Sequence, residues 1–150
     1  MRFYTVYSET AETAAVTLIE IMNSANSVIK VMAVGVTQEG SETSDEIAVE
    51  LKRLSAGGTA TTITAVKEDA GDSAFGGVCK NNHTVEPTYV SEDPVWAEGF
   101  NALAGATHAW SLFEAPTIRA GTGNGIGLKL DLAPAASMTI RAWLRICEIG

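Results

Sequence analysis

Val95-Trp96-Ala97-Glu98-Gly99-Phe100-Asn101, His108-Ala109-Trp110-Ser111-Leu112-Phe113, Gly125-Ile126-Gly127-Leu128-Lys129-Leu130-Asp131-Leu132 and Met138-Thr139-Ile140-Arg141-Ala142-Trp143-Leu144-Arg145-Ile146 are runs in which small or polar residues alternate with large apolar ones. Clusters of Gly, Pro, Ala and Asn separate them. A period of two, punctuated in this way, predicts consecutive antiparallel strands. The runs carry no nucleophile–base pair, metal-ligand cluster or phosphate loop, so they speak to architecture before chemistry.

The same pattern extends upstream. Phe3–Tyr7 reads as a first strand. Ala14–Ile21 is ambiguous. Ala14, Leu18 and Ile21 have helical spacing, but Val16-Thr17-Leu18-Ile19-Glu20-Ile21 is rich in β-branched residues, and its shortness and lack of a cap favour a strand. Asn23–Ser27 is a turn cluster. Val28–Thr37 has few polar breaks and is expected in the middle of a sheet. In Glu46–Leu54, Ile47, Val49, Leu51 and Arg53 alternate with Glu46, Ala48, Glu50 and Lys52, which predicts a strand with one face in solvent. Ala56-Gly57-Gly58-Thr59 reads as a hairpin turn. Thr61–Val66 and Val78–His83 are further strands, and Lys67–Gly77 and Thr84–Pro94 are loops.

About nine or ten short strands, with no helical heptads and no internal repeat, predict an all-β fold. The expectation is one domain spanning residues 1–150, a jelly-roll-like antiparallel β-sandwich with one or two strands beyond the basic eight. An immunoglobulin-type sandwich fits less well, because Cys79 and Cys147 do not bracket the strand pair that such a core requires.

Composition agrees with one globular domain. The chain has 150 residues, 46% hydrophobic and 19% charged. Its net charge is −8, with the acidic residues gathered in Glu39–Glu46, Glu68–Asp72 and Glu86–Asp93. These stretches read as solvated surface that repels nucleic acid. The ten basic residues are scattered, whereas a nucleic-acid partner would require a basic stripe. No run approaches the ~18–20 apolar residues of a membrane span, and no export signal opens the chain, so no membrane partner is expected. Cys79 and Cys147 lie in apolar runs and are expected as buried free thiols.

The search for chemistry assigns no catalytic, cofactor-binding or metal-binding residue. Gly121-Thr122-Gly123-Asn124-Gly125-Ile126-Gly127 leads into a strand and lacks the spacing of a phosphate loop, so it reads as a flexible turn. His83 and His108 each stand alone, without the His-x-His pair of a cupin metal site. Asp45-Glu46 and Glu92-Asp93 read as solvated loop charges. The aromatic residues say more. Trp96, Phe100, Trp110, Phe113 and Trp143 all fall in the last third of the chain. They serve either to pack the sandwich or to form a subunit interface. Pro94 and Pro116 would stiffen the neighbouring edges. Trp96, Phe100, Trp110 and Pro116 are the candidate interface residues.

The order of these features resembles a known pattern. Arg2-Phe3-Tyr4-Thr5-Val6 comes first, then Val31-x-Ala33-Val34-Gly35-Val36-Thr37-Gln38 running into an acidic loop. Glu50-Leu51-Lys52-Arg53-Leu54 leads through Gly-Gly-Thr to Thr61-Thr62-Ile63-Thr64. Glu98-Gly99-Phe100-Asn101 precedes the Trp110 run and Pro116. Met138-Thr139-Ile140 leads to Ile146-Cys147-Glu148-Ile149-Gly150. Taken together these resemble a family of small proteins encoded among tailed-bacteriophage structural genes, the jelly-roll capsid decoration (cement) proteins. Two segments depart from that pattern: Ala65-Val66-Lys67-Glu68-Asp69 replaces a proline-rich stretch, and Glu114 precedes Pro116. The resemblance implies a homotrimer seated on the outer capsid surface, with the major capsid protein as partner. It implies a virion location after synthesis in the host cytoplasm. The competing expectation is a phage tail or baseplate module that binds a host receptor or glycan.

Overall fold

The computed structural model describes residues 1–40 and 44–150, and of the acidic stretch Glu39–Glu46 residues 41–43 lie outside the described residues. The strands in chain order are β1 (Arg2–Glu12), β2 (Thr17–Met22), β3 (Val28–Glu39), β4 (Glu46–Ala56), β5 (Thr59–Ile63) and β6 (Val66–Lys67). They continue with β7 (Val78–Val85), β8 (Thr88–Tyr89), β9 (Trp96–Asn101), β10 (Ala106–Ala109), β11 (Thr117–Ile118), β12 (Gly125–Leu130) and β13 (Met138–Ile149). No helix occurs among the described residues. The strands form two antiparallel sheets. The first has the order β10-β3-β13-β1-β6, with β11 also on β3; the second has the order β5-β7-β2-β12-β4-β8, with β9 also on β4.

Four pairings are mirror-related about the middle of the chain: β1 with β13, β2 with β12, β3 with β10 and β4 with β9. A long hairpin with four strands in each arm has been rolled up, and β3–β13 and β4–β12 are the contacts made by rolling. This is a jelly-roll sandwich. The extra strands β5 and β7 are inserted at the tip of the hairpin and extend the second sheet beyond β2. The four runs at the end of the chain therefore do not pair with one another. β9 and β12 belong to one sheet and β10 and β13 to the other. Each pairs with a strand of the first half.

The core lies between the sheets. Val6, Val34, Leu144 and Ile146 from one sheet and Ile19, Leu51, Ile126 and Leu128 from the other are fully buried. Truncating such a residue to Ala costs about 2–5 kcal/mol in cavity and lost transfer energy. β2 settles the ambiguity of Ala14–Ile21 in favour of a strand. All of its residues are buried, so no two-residue period was visible there. β3 is interior, as expected. An irregularity opposite Arg145/Ile146 lets Val31 and Val34 both face inward although they are three residues apart.

Thr61–Val66 is not one strand: β5 ends at Ile63 in the second sheet and β6 begins at Val66 in the first. Three further local expectations need correction. Lys52 was expected in solvent but is only 3% exposed, because the segment after β7 folds back over the outer face of the second sheet. Lys52 Nζ pairs there with Glu50 at 3.1 Å and Glu92 at 3.0 Å. Gly57-Gly58 is not a hairpin turn, since β4 and β5 are not partners. These glycines carry the chain closely past Glu20, whose Oε1 would lie 2.6 Å from a Cβ at Gly57. A Cβ at Gly58 would overlap the Val85 carbonyl oxygen. Gly125 and Gly127 lie in β12, not in a flexible turn. A Cβ at Gly127 would come within 2.9 Å of the Tyr89 hydroxyl, so this glycine makes a flat floor for the ring.

Candidate functional site

One side of the sandwich is closed by side chains instead of backbone. Among the described residues β9 and β10 each pair with a single neighbour, β4 and β3 respectively. Trp96 and Phe100 stand opposite the inward residues Leu51 and Ile47, and His108 stands opposite the inward residue Val34. Strand alternation thus aims all three rings at the gap between the sheets. Trp110 follows one residue after β10, held by its N–H donating to the Met32 carbonyl at 2.9 Å. The Trp96 and Trp110 rings meet edge to face, with centroids 6.0 Å apart and planes at 84°. His108 lies 5.8 Å from Trp96 and 4.6 Å from Trp110. Aromatic pairs of this geometry add about 0.5–1.5 kcal/mol each beyond their burial. Trp96, Phe100 and Trp110 are half-buried and packed against the core. Glu98, between Trp96 and Phe100 on the same face, puts a charge at the open edge, a device that discourages strand-to-strand aggregation.

Beyond Trp110 the chain makes a tight turn before rejoining β3. The Ser111 carbonyl accepts from the N–H groups of Glu114 at 3.2 Å and Ala115 at 3.0 Å. Ser111 Oγ donates to Glu114 Oε2 at 2.7 Å. Lys30 Nζ donates to the Leu112 carbonyl at 2.8 Å. The Pro116 carbonyl accepts from Val31 N at 3.0 Å, and β11 then pairs with Lys30 and Ile29. The turn is pinned at both ends and across its middle. Phe113, within it, is 95% exposed. Leu103, in the β9–β10 connection, and Leu132, after β12, are also exposed. Leu132 lines a cavity of about 460 Å³ with Phe100 and Ile47.

Of the residues singled out from sequence, Trp96 and Trp110 are brought into contact. Phe100 lies on the same inward row of β9. Pro116 sits half-buried at the base of the turn, outside the ring cluster. Phe113 stood in the sequence only as one of five aromatics and His108 as a lone histidine, and neither was among the candidate interface residues. Phe113 was read inside a strand, although Ser111 before it and Glu114-Ala115-Pro116 after it are turn chemistry.

A second cluster lies on the outer face of the second sheet. Glu20 accepts from Gly58 N at 2.8 Å, lies 2.9 Å from His83 Nε2, and is 3.5 Å from Lys80 Nζ. His83 Nδ1 is 3.1 Å from the Thr17 carbonyl oxygen. Glu86 takes the Thr17 N–H and hydroxyl, and Tyr89 OH is 2.6 Å from the same hydroxyl. Burial would raise the Glu20 pKa, but the contacts with His83, Gly58 and Lys80 outweigh it and hold the carboxyl below its ordinary value. The Glu20 and His83 side chains are fully buried beneath the chain that crosses them. A Glu–His pair so enclosed holds the insertion onto the sheet and offers no surface to a substrate. Cys79 and Cys147 are free and buried, one in each sheet. Burial, reinforced by the Glu20 charge, pushes the Cys79 thiol up to about 12, so it stays protonated and inert as a nucleophile.

The chain finds no match among protein-family models, curated proteins or solved structures.

Proposed function

We propose that this chain is a virion structural protein, a capsid decoration (cement) protein that binds the outer capsid surface as a homotrimer. The reading rests on the resemblance in sequence order to such proteins, and it assigns the chain no reaction. The observation that carries it is Phe113, an apolar ring exposed on a turn fixed by internal hydrogen bonds, next to the half-buried Trp96–Trp110 pair. A rigid turn loses little conformational entropy when it docks. Burying one Phe contributes about 1.5–3 kcal/mol. Three such anchors on one trimer act through the effective concentration that the first contact creates. The acidic surface keeps the protein away from DNA being packaged.

The alternative, a tail or baseplate module that binds a glycan, calls for open aromatic faces on which a sugar can stack. Trp96, His108 and Trp110 stand against one another, which favours the first reading.

Electron microscopy of particles assembled with the protein tests the proposal. Density on the capsid three-fold positions is the expected result, and density confined to the tail would overturn it in favour of the alternative. Co-sedimentation of purified protein with undecorated capsids tests the edge. Phe113→Ser is expected to weaken capsid binding at least tenfold, in line with the burial energy above. Binding equal to that of the unaltered protein would remove this edge from the interface.

A further inference from the structure

Next along the strands from the aromatic cluster, a cavity of about 610 Å³ opens where Arg53, two residues beyond the partner of Trp96, meets Thr117 of the other sheet. It is lined by Arg53, Leu54, Val90, Ile118, Arg119 and Asn124, together with Thr117 and Gly125. Arg53 stands opposite the inward residue Ile126, where strand alternation would ordinarily place an aliphatic side chain. Its guanidinium crosses to the other sheet, and Nη1 donates to the Thr117 carbonyl at 2.7 Å. One hydrogen bond leaves most of its five N–H donors free. Arg119 makes no side-chain hydrogen bond, ion pair or ring contact among the described residues.

The charge balance makes this arrangement informative. The chain has 18 acidic residues and 10 basic ones. Arg2, Lys52, Lys80, Arg141 and Arg145 are each paired with a carboxylate. Among the described residues Lys30 and Lys67 bond carbonyl oxygens and Lys129 lies over the Tyr89 ring, whereas Arg53 and Arg119 share a cavity that no Asp or Glu lines. Both arginines line the cavity and both are exposed, so an anion entering it can reach either guanidinium. Planar guanidinium forks match carboxylate and phosphate oxygens in bidentate geometry. Val90, 62% exposed, supplies an apolar side chain beside them, while Leu54 and Ile118 are sealed in the packing beneath. The volume falls within the ~300–1,000 Å³ of small-molecule pockets.

We propose that this cavity binds a small organic oxyanion, with its phosphate or carboxylate head held by Arg53 and Arg119 and its apolar body against Val90. The cavity adjoins the base of the Phe113 turn through Thr117, but the proposal does not rest on capsid binding. The test is a titration of the 15N-labelled protein at constant ionic strength with inorganic phosphate, phenyl phosphate, benzoate or uncharged benzyl alcohol. Phenyl phosphate or benzoate is expected to give saturable shifts at the Ile118, Asn124 and Gly125 amides. Whichever of the two binds more tightly identifies the head group. Inorganic phosphate is expected to bind the same amides more weakly, and benzyl alcohol not to saturate them. Arg119→Gln changes an exposed side chain without partners and should leave the remaining spectrum unaltered while weakening binding about tenfold, the loss expected for one charge-assisted contact. Absence of saturable shifts with both organic anions, or equal affinity in the Arg119→Gln protein, would overturn the proposal.

Discussion

Glu12 shows how single residues in this fold pay for their position. It ends β1, is 9% exposed, and stands opposite Met138. Burial raises its carboxyl pKa above the ordinary 4.5, and the nearby Glu86 charge adds to the shift. A carboxyl whose pKa is higher folded than unfolded binds more protons in the folded state. Stability is therefore lost as pH rises from 4.5 towards the raised value, and the deficit is complete above it. Glu12→Gln should raise the Tm at pH 7, and the gain should fade as pH drops below 4.5; thermal unfolding at both pH values measures it. Glu20 behaves in the opposite sense. Its lowered pKa supports the fold above 4.5, and this support is lost as pH falls below that value. Neither role was legible in the sequence. The partners of Glu20 are Gly58, Lys80 and His83, and no local pattern in β2 announces residues that the chain brings back from so far away. Phe113 was legible in part: the turn residues around it were present, but the alternation of the preceding run masked them.

At the scale of elements, the strands with one wet face were the easiest to read. β13 alternates along most of its length and β4 alternates from Glu46 to Leu51, where the reading ends at the buried Lys52. β2 was ambiguous because it is covered on both faces, a property conferred by the insertion between β4 and β9. The same insertion explains Lys52 and the Gly57-Gly58 crossing. In both places the residues were read without the segment that crosses them, which buries Lys52 and replaces the expected hairpin turn. The crossing is directly testable. A Cβ at Gly58 meets backbone, which cannot swing aside, whereas at Gly57 it meets the end of the Glu20 side chain and Met22 Cγ at 3.3 Å. Gly58→Ala should cost about 1–3 kcal/mol, the range for overpacking, and Gly57→Ala less. Urea unfolding of the two variants orders them, and equal costs would show that the crossing yields as a unit.

For the molecule as a whole, the rolled hairpin brings the first and last strands together. β1 and β13 are antiparallel from Arg2 opposite Glu148 to Glu12 opposite Met138. Arg2 reaches the Gly150 carbonyl at 3.4 Å and Glu148 at 3.2 Å. The two chain ends therefore leave the sandwich side by side. A force applied to those ends meets the β1–β13 ladder one pair at a time, like a zipper opened from its tab, so each bond gives way alone. A force entering at the Phe113 turn and leaving through the opposite sheet instead runs across many strands at once, where ladders must slide collectively and the interlocked core resists. Pulled singly in an optical trap, the molecule should rupture at clearly lower force through its ends than through linkers at the turn and on β7. Equal rupture forces would refute this anisotropy. A fold strong in one direction and yielding in another is mechanically a clasp: firm under strain across its faces, yet easily undone from its ends.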